Sequence, residues 1–449
     1  MTSSALTLLG WNQQQKVSDE AALSAETMRS GAYLAARYGL GVLVSVGNML
    51  VMTWWLGPHV YGLFVTAISL VAFLAILSRA GVDTFLVRHE SPPDQAMYET
   101  ANAVILIVSF ALAGMAALIT PLLVRWYGTR EFVTPYLVLL ATIPVSGLTG
   151  VPMAKLEREL NFRRIAAIEL TGQSLGLLAA IVLAWAGTGV WAPVAGQLVW
   201  QVVTLIATAR AARLQLSLRL HRDQWRAMCW FGFAMTLSLR TWQLRTLVNP
   251  LLVGKFAGTE AVAFVAVAIR IAESLGALRL AAGRVAIAAL ARLQEQRDKF
   301  RAALENALFL QVVTLGPLLG LFALVGPFLF RHAIGAKWTP SLAVYPFVAA
   351  GVLVNSVYNL QASALFVLDK QWIVMRCYTA HVVLLGAGTW LLLPHWGIIG
   401  YGLAELLACC AYYAIHRGVS GILHLSCRRI ILPVVASTAI LFLPHLIAK

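Results

Sequence analysis

Runs of roughly 20 apolar residues, the length at which an α-helix crosses the hydrocarbon core of a bilayer, recur through this chain and leave little else from which to build a fold. They fall at about 33–56, 60–79, 101–124, 132–153, 164–186, 190–211, 229–254, 260–279, 303–326, 340–366, 373–394 and 397–417. A thirteenth, Ile430 to Ile447, is just long enough and carries Pro433 and Pro444. Without water to satisfy exposed backbone amides, segments of this length must close their hydrogen bonds internally, so they are expected as helices. Composition agrees, because 60% of the 449 residues are apolar and 12% are charged, against roughly 25% charged in an average soluble domain. The expected fold class is all-α, a polytopic membrane protein.

The placement of charge tests the span count independently, since short cytoplasmic connections collect Lys and Arg. The first 30 residues, with Gln13, Gln14, Gln15, Lys16, Asp19 and Glu20, lack an apolar run followed by a small-residue cleavage site, so they are not read as a secretory signal. With the amino terminus placed in the cytoplasm, 25 of the 34 Lys and Arg fall on cytoplasmic connections and six on outer ones, while Arg240, Arg245 and Arg270 lie within spans. The net charge of +15 is thereby accounted for beside anionic headgroups, and nucleic acid is not expected as a partner.

An internal repeat divides the spans into two sets. Leu56-Gly57-Pro58-His59-Val60-Tyr61-Gly62-Leu63-Phe64 aligns at an offset of 201 with Ala257-Gly258-Thr259-Glu260-Ala261-Val262-Ala263-Phe264-Val265, and the same offset sets Asn48 on Asn249. At 208, Leu160-Asn161 aligns with Leu368-Asp369, and Gly189 to Gln197 with Gly397 to Glu405. Both sets begin on the same side, so the repeats are parallel, related by an axis along the membrane normal. The expected organisation is a cytoplasmic tail over 1–30, a six-helix bundle over 31–215, a linker over 216–228, a second six-helix bundle over 229–425, and the extra span over 426–449. The two bundles would enclose a central cavity.

Residues in these windows carry a family resemblance. Leu56 to Phe64 followed by Ser78 to Arg88 resembles the first helical hairpin of bacterial polysaccharide flippases. Leu156 to Leu170 resembles the turn before their fifth helix, and Ala288 to Gln294 the segment after their eighth, though the proline common there is absent. The chain is thus similar, from about residue 30 to 425, to the polysaccharide transporter branch of the multidrug, oligosaccharidyl-lipid and polysaccharide exporter superfamily. That resemblance implies a monomeric protein of the bacterial inner membrane, without cofactor, that carries an undecaprenyl-diphosphate-linked oligosaccharide for exopolysaccharide or O-antigen synthesis. It also implies polymerase and glycosyltransferase partners. Relatives that move the peptidoglycan precursor, or export drugs, are the alternatives.

The charges inside spans mark candidate site residues, because charge at membrane depth is rarely left without a polar cavity, a partner or a task. On span seven, Ser238, Thr241, Arg245 and Asn249 follow spacings of three, four and four, which is one face of an α-helix. Arg240 lies about 140° away around the axis at 100° per residue. Arg245 is the first choice for a phosphate contact, where a guanidinium fork fits an anionic oxygen pair, and Arg240 the second. Arg270 has Glu273 three residues on and is expected to pair with it. Glu273, Glu405 and His381 are candidates for ion coupling; by the repeat Glu405 corresponds to Gln197 and His381 to Gln173. Against the repeat the arginines have no counterparts, so the anion grip is expected on the carboxy-terminal bundle alone.

Enzyme chemistry finds no footing. Cys229, Cys377, Cys409, Cys410 and Cys427 lack metal-ligand spacing, and no Walker-type loop is present. The outer connections, about ten residues at most, leave no room for the clustered acids and bases of a membrane glycosyltransferase or ligase.

Overall fold

A computed structural model describes residues 41, 44, 46–214, 217–221, 224–226, 228, 241–277, 296–426 and 428–447. Among these residues the regular structure is entirely helical. Helix α1 (46–55) leads into α2 (Pro58–Ser78), α3 (Val82–Arg88), α4 (Gln95–Tyr127), α5 (Val133–Leu140), α6 (Thr142–Arg158), α7 (Phe162–Trp185) and α8 (Trp191–Ala212). After residue 240 come α9 (Gly254–Leu275), α10 (Arg297–Leu329), α11 (Pro340–Val367), α12 (Gln371–Trp396), α13 (Ile398–Cys409), α14 (Tyr413–Leu423) and α15 (Arg428–Ile447).

Ten helical units among the described residues are long and apolar enough to cross a membrane. One of them, Thr241–Leu275, joins the described part of span seven to span eight, with the chain turning at Gly258, whose φ of 82° suits a residue without Cβ. Of the first expected span, 33–56, residues 41, 44 and 46–56 are described, most of them in α1. Ile430 to Ile447 does form one helix, α15, despite its two prolines.

Local chemistry sets the helix ends. Pro58 opens α2 at a position where no backbone donor is needed. The Asp94 side chain caps α4 by accepting from the Met97 amide at 2.7 Å, and Gly128 ends the helix in the left-handed region. Leu118 and Trp185, more than 80% exposed, belong to an apolar outer surface that suits lipid rather than water.

Small residues let neighbouring helices approach closely. Gly172 and Gly176 of α7 face Trp200, Thr204 and Gly196 of α8. Gly316 of α10 takes the Ser437 side chain of α15, and a Cβ on Gly320 would lie 2.8 Å from Ile440. The α7–α8 packing recurs in α12–α13 at the offset read from the sequence, and Gly189 and Gly397 both have positive φ, 63° and 56°.

Alternating helix direction gathers Arg79, Lys155, Arg158, Arg213 and Arg417 at one end of the molecule, hereafter the basic end. At the opposite end, called the outer end after the orientation expected from charge placement, α2 crosses α9 so closely that any Cβ on Gly62 would collide with the Thr259 carbonyl.

Candidate functional site

A cavity of about 580 Å³ lies between the helices before and after the interval 213–240, walled by α1, α2, α6, α8, α9, α13 and the segment before α9. Its charged lining is Arg79, Arg245, Arg270 and Glu273, and its amides include Asn48, Gln197, Gln201 and Asn249.

The outer end of this cavity is sealed by contacts between the two sets of helices. The Trp126 indole donates to the Leu251 carbonyl at 2.8 Å and the Tyr127 hydroxyl to that of Pro250 at 3.1 Å. Trp338, fully buried, donates to the Thr53 carbonyl at 2.9 Å and stands edge-on to Tyr61. His59 bridges Glu131 at 2.6 Å and Thr259 at 3.2 Å. Arg79, by contrast, caps the other end of α2, its stem lying along Gly150 of α6. The cavity therefore runs from the middle of the helices toward the basic end.

The segment bearing Arg245 is not the regular α-helix expected from its spacing. Thr241–Leu247 winds as a tight 3-10 helix and Asn249–Val253 as a wider π turn. Pro250 has no N–H to give to the preceding turn, which favours such a change of winding. In a 3-10 turn residues i and i+3 eclipse, and Arg245 accordingly stacks over the Trp242 ring, 4.9 Å from its centroid. Of the expected polar stripe, Arg245 and Asn249 line the cavity, joined by Thr246. Ser238 and Arg240 lie outside the described residues, and Thr241 is not in the cavity lining.

Arg245 is held by two carboxylates. Its guanidinium lies 3.4 Å from Glu405 of α13 and 3.6 Å from Glu273 of α9. Glu273, the expected partner of Arg270, reaches Arg245, and both Arg270 and Glu273 face the cavity from α9. Glu405 is 4% exposed and fits because Gly351 of α11 faces it, where a Cβ would lie 2.9 Å from its Cγ. Its second oxygen, Oε2, has no hydrogen-bond partner among the described residues. An unpaired oxygen on a buried carboxylate costs free energy comparable to a lost hydrogen bond, so Arg245 carries most of the burden of keeping Glu405 there.

His381 of α12 sits beside this group rather than in the cavity. One ring nitrogen contacts the Ala408 carbonyl at 3.1 Å, and the ring lies 5.0 Å from both Trp242 and Tyr412. Tyr412 accepts from Asn355 at 2.6 Å. Asn249 donates to the Val262 carbonyl at 3.2 Å, its amide oxygen being without a partner among the described residues.

Arg79, Gln197 and Gln201 were not among the sequence-derived candidates. Arg79 reads as an ordinary cytoplasmic flank, one residue beyond its helix. Gln197 could have been found, since the repeat sets it on Glu405. With Arg79 in the wall, the cationic lining comes from both sets of helices, which corrects the expectation of a one-sided grip.

A family model described as polysaccharide biosynthesis protein matches residues 51–343, well over half of the chain. The chain belongs to that family. It is 24% identical over 297 residues to the succinoglycan biosynthesis transport protein ExoT of Rhizobium meliloti (strain 1021), an alignment covering 66% of this chain and 60% of that protein's length. Among solved structures, the lipid II flippase MurJ in an inward closed conformation superposes with a TM-score of 0.75 at 13% identity, covering 93% of this chain and 92% of that one. An inward-facing multidrug resistance MATE transporter of the MOP superfamily superposes at 0.66 with 16% identity, covering 84% and 94%. The fold of this family member is therefore the one shared by those transporters.

Proposed function

We propose that the protein is a flippase that carries an undecaprenyl-diphosphate-linked oligosaccharide from the cytoplasmic to the periplasmic leaflet of the bacterial inner membrane by alternating access. A diphosphate cannot cross hydrocarbon unaided, because desolvating an ion costs on the order of tens of kcal/mol by Born reasoning. The observation that carries the reading is the arginine-lined cavity, closed at the outer end, with Arg79, Arg245 and Arg270 in its walls. Guanidinium forks match phosphate oxygens, the amides on α1 and α8 supply sugar partners, and the polyprenyl tail would trail between two six-helix bundles, 31–215 and 229–425. Arg245, Arg240, Arg270, Asn249, Thr241 and Ser238 are the residues assigned to the diphosphate and its cavity.

In this conformation Arg245 is neutralised by Glu405 and Glu273. An incoming diphosphate competes with those carboxylates, and a proton delivered to Glu405, with His381 near, would shift the competition toward substrate. The charged lining favours an anionic cargo over a cationic drug. The likeness of fold to a lipid II flippase favours the peptidoglycan precursor as the second reading, since that cargo has the same diphosphate anchor.

The test is deletion of the gene with analysis of lipid-linked intermediates. Undecaprenyl-linked repeat units should accumulate facing the cytoplasm, with rescue by the intact chain and not by Arg245→Lys, which keeps the charge and loses the fork. Normal surface polysaccharide in the deletion strain would remove the reading, and loss of peptidoglycan synthesis would replace it with the second. For coupling, transport by Glu405→Gln should lose its dependence on a pH gradient; full retention would rule the carboxylate out.

A further inference from the structure

The basic end holds a second cavity, of about 470 Å³, which shares no lining residue with the central one. Its walls come from the start of α4 (Gln95, Tyr98), the end of α6 (Lys155, Arg158, Glu159) and the turn after α8 (Arg213). The four ionic side chains have distinct tasks. Arg158 is committed to the protein, donating to the carbonyls of Leu86 at 3.1 Å, His89 at 2.6 Å and Ser91 at 3.0 Å, and so tying the turn after α3 to α6. Lys155 lies 5.8 Å from the centre of the Tyr98 ring, and Arg213 projects from a left-handed residue, φ 49°, that ends α8. Among the described residues, neither Lys155 nor Arg213 has a carboxylate within ion-pair distance.

Glu159 is the one acid in the wall, so two cations with donors to spare face a single carboxylate. The same cavity abuts the amino terminus of the 33-residue α4, whose partial positive charge favours an anion; the Asp94 cap engages only the Met97 amide there. The turns that flank the cavity expose apolar side chains at this level: Leu160, 73% exposed, and Phe162 after α6, with Leu218 and Leu220 after α8. A site for a freely soluble anion has no use for these, whereas a headgroup comes attached to acyl chains that do. Basic pockets at helix ends on the cytoplasmic side suit lipid phosphate.

We infer that this cavity binds the phosphate headgroup of an anionic membrane lipid, held by Lys155 and Arg213 beside the Tyr98 ring. The purified full-length protein in neutral detergent is titrated with dioctanoyl-phosphatidylglycerol, dioctanoyl-phosphatidylcholine or inorganic phosphate, and retained adducts are counted by native mass spectrometry. Phosphatidylglycerol should be retained in preference to phosphatidylcholine, and inorganic phosphate at equal concentration should not displace it. Lys155→Gln/Arg213→Gln should weaken retention by about tenfold or more, each basic side chain near a membrane surface being worth roughly one kcal/mol. Arg163→Gln/Arg164→Gln, which removes two exposed charges outside the cavity, should leave retention unchanged. Equal retention of both lipids, equal loss in the two double variants, or displacement by inorganic phosphate would each overturn the inference. Arg213→Glu alone, at an exposed position, provides the same readout if the double variant folds poorly.

Discussion

Arg245 and Glu405 depend on each other, and that dependence is testable. Both are largely buried, 14% and 5% exposed at the side chain, and breaking a buried pair by deleting one partner typically costs about 3–5 kcal/mol. Arg245→Ala is therefore expected to lower the melting temperature of the purified protein as well as transport. Arg245→Ala/Glu405→Gln should restore most of the melting temperature but none of the transport, which separates stability from cargo binding. If the double variant melts as low as the single one, the pair is not what holds Glu405 in place. That Arg245 matters could be read from the chain, because an arginine in an apolar span demands a partner. Which partner could not: Glu405 is 160 positions away, and the nearer acid on Arg270's own face, Glu273, turns out to serve Arg245 as well.

At the scale of elements, the periodic reading located the helices and failed at their irregularities. Apolar run length is a strong signal for a spanning helix, but the 3-10 and π winding between Thr241 and Val253 arises from a proline and from tertiary packing, so α-helical face arithmetic does not hold there. Glycines mark where helices touch. Gly62→Leu places a side chain where the Thr259 carbonyl lies and should force α2 from α9. The expected outcome is increased labelling of a cysteine in the cavity, such as Ser69→Cys, by a membrane-impermeant maleimide added from outside, with loss of transport. Gly320→Leu should displace α15 from α10, since Ile440 occupies that groove; destabilisation by about 1–3 kcal/mol is expected from overpacking, read as a lowered melting temperature.

Across the whole molecule, the cavity exists because two sets of helices meet at one end and diverge toward the other. The seal joins residues more than a hundred positions apart, Trp126 to Leu251 and Thr53 to Trp338. Trp126→Ala should therefore weaken the outer seal and raise outward accessibility of the same Ser69→Cys reporter. The orientation proposed from charge placement has its own check: in a background freed of native cysteines, Thr129→Cys should react with impermeant maleimide in intact cells, and Ser91→Cys only after permeabilisation. The reverse pattern would invert the molecule and assign the sealed end to the cytoplasm.

From its residues alone the chain is legible as a bundle of membrane helices in related sets, with its basic charge biased toward one end. These properties follow from local free energies: each apolar run must satisfy its own amides in lipid, and each basic flank favours one leaflet. Packing in three dimensions is what brings Arg79 to Arg245 and Arg270 in one cavity, sets Glu405 and Glu273 against Arg245, and puts Gly62 at the sealed end. Those outcomes depend on which helix faces meet, and facing is settled by close packing between segments far apart in sequence, for which the chain carries no periodic signature.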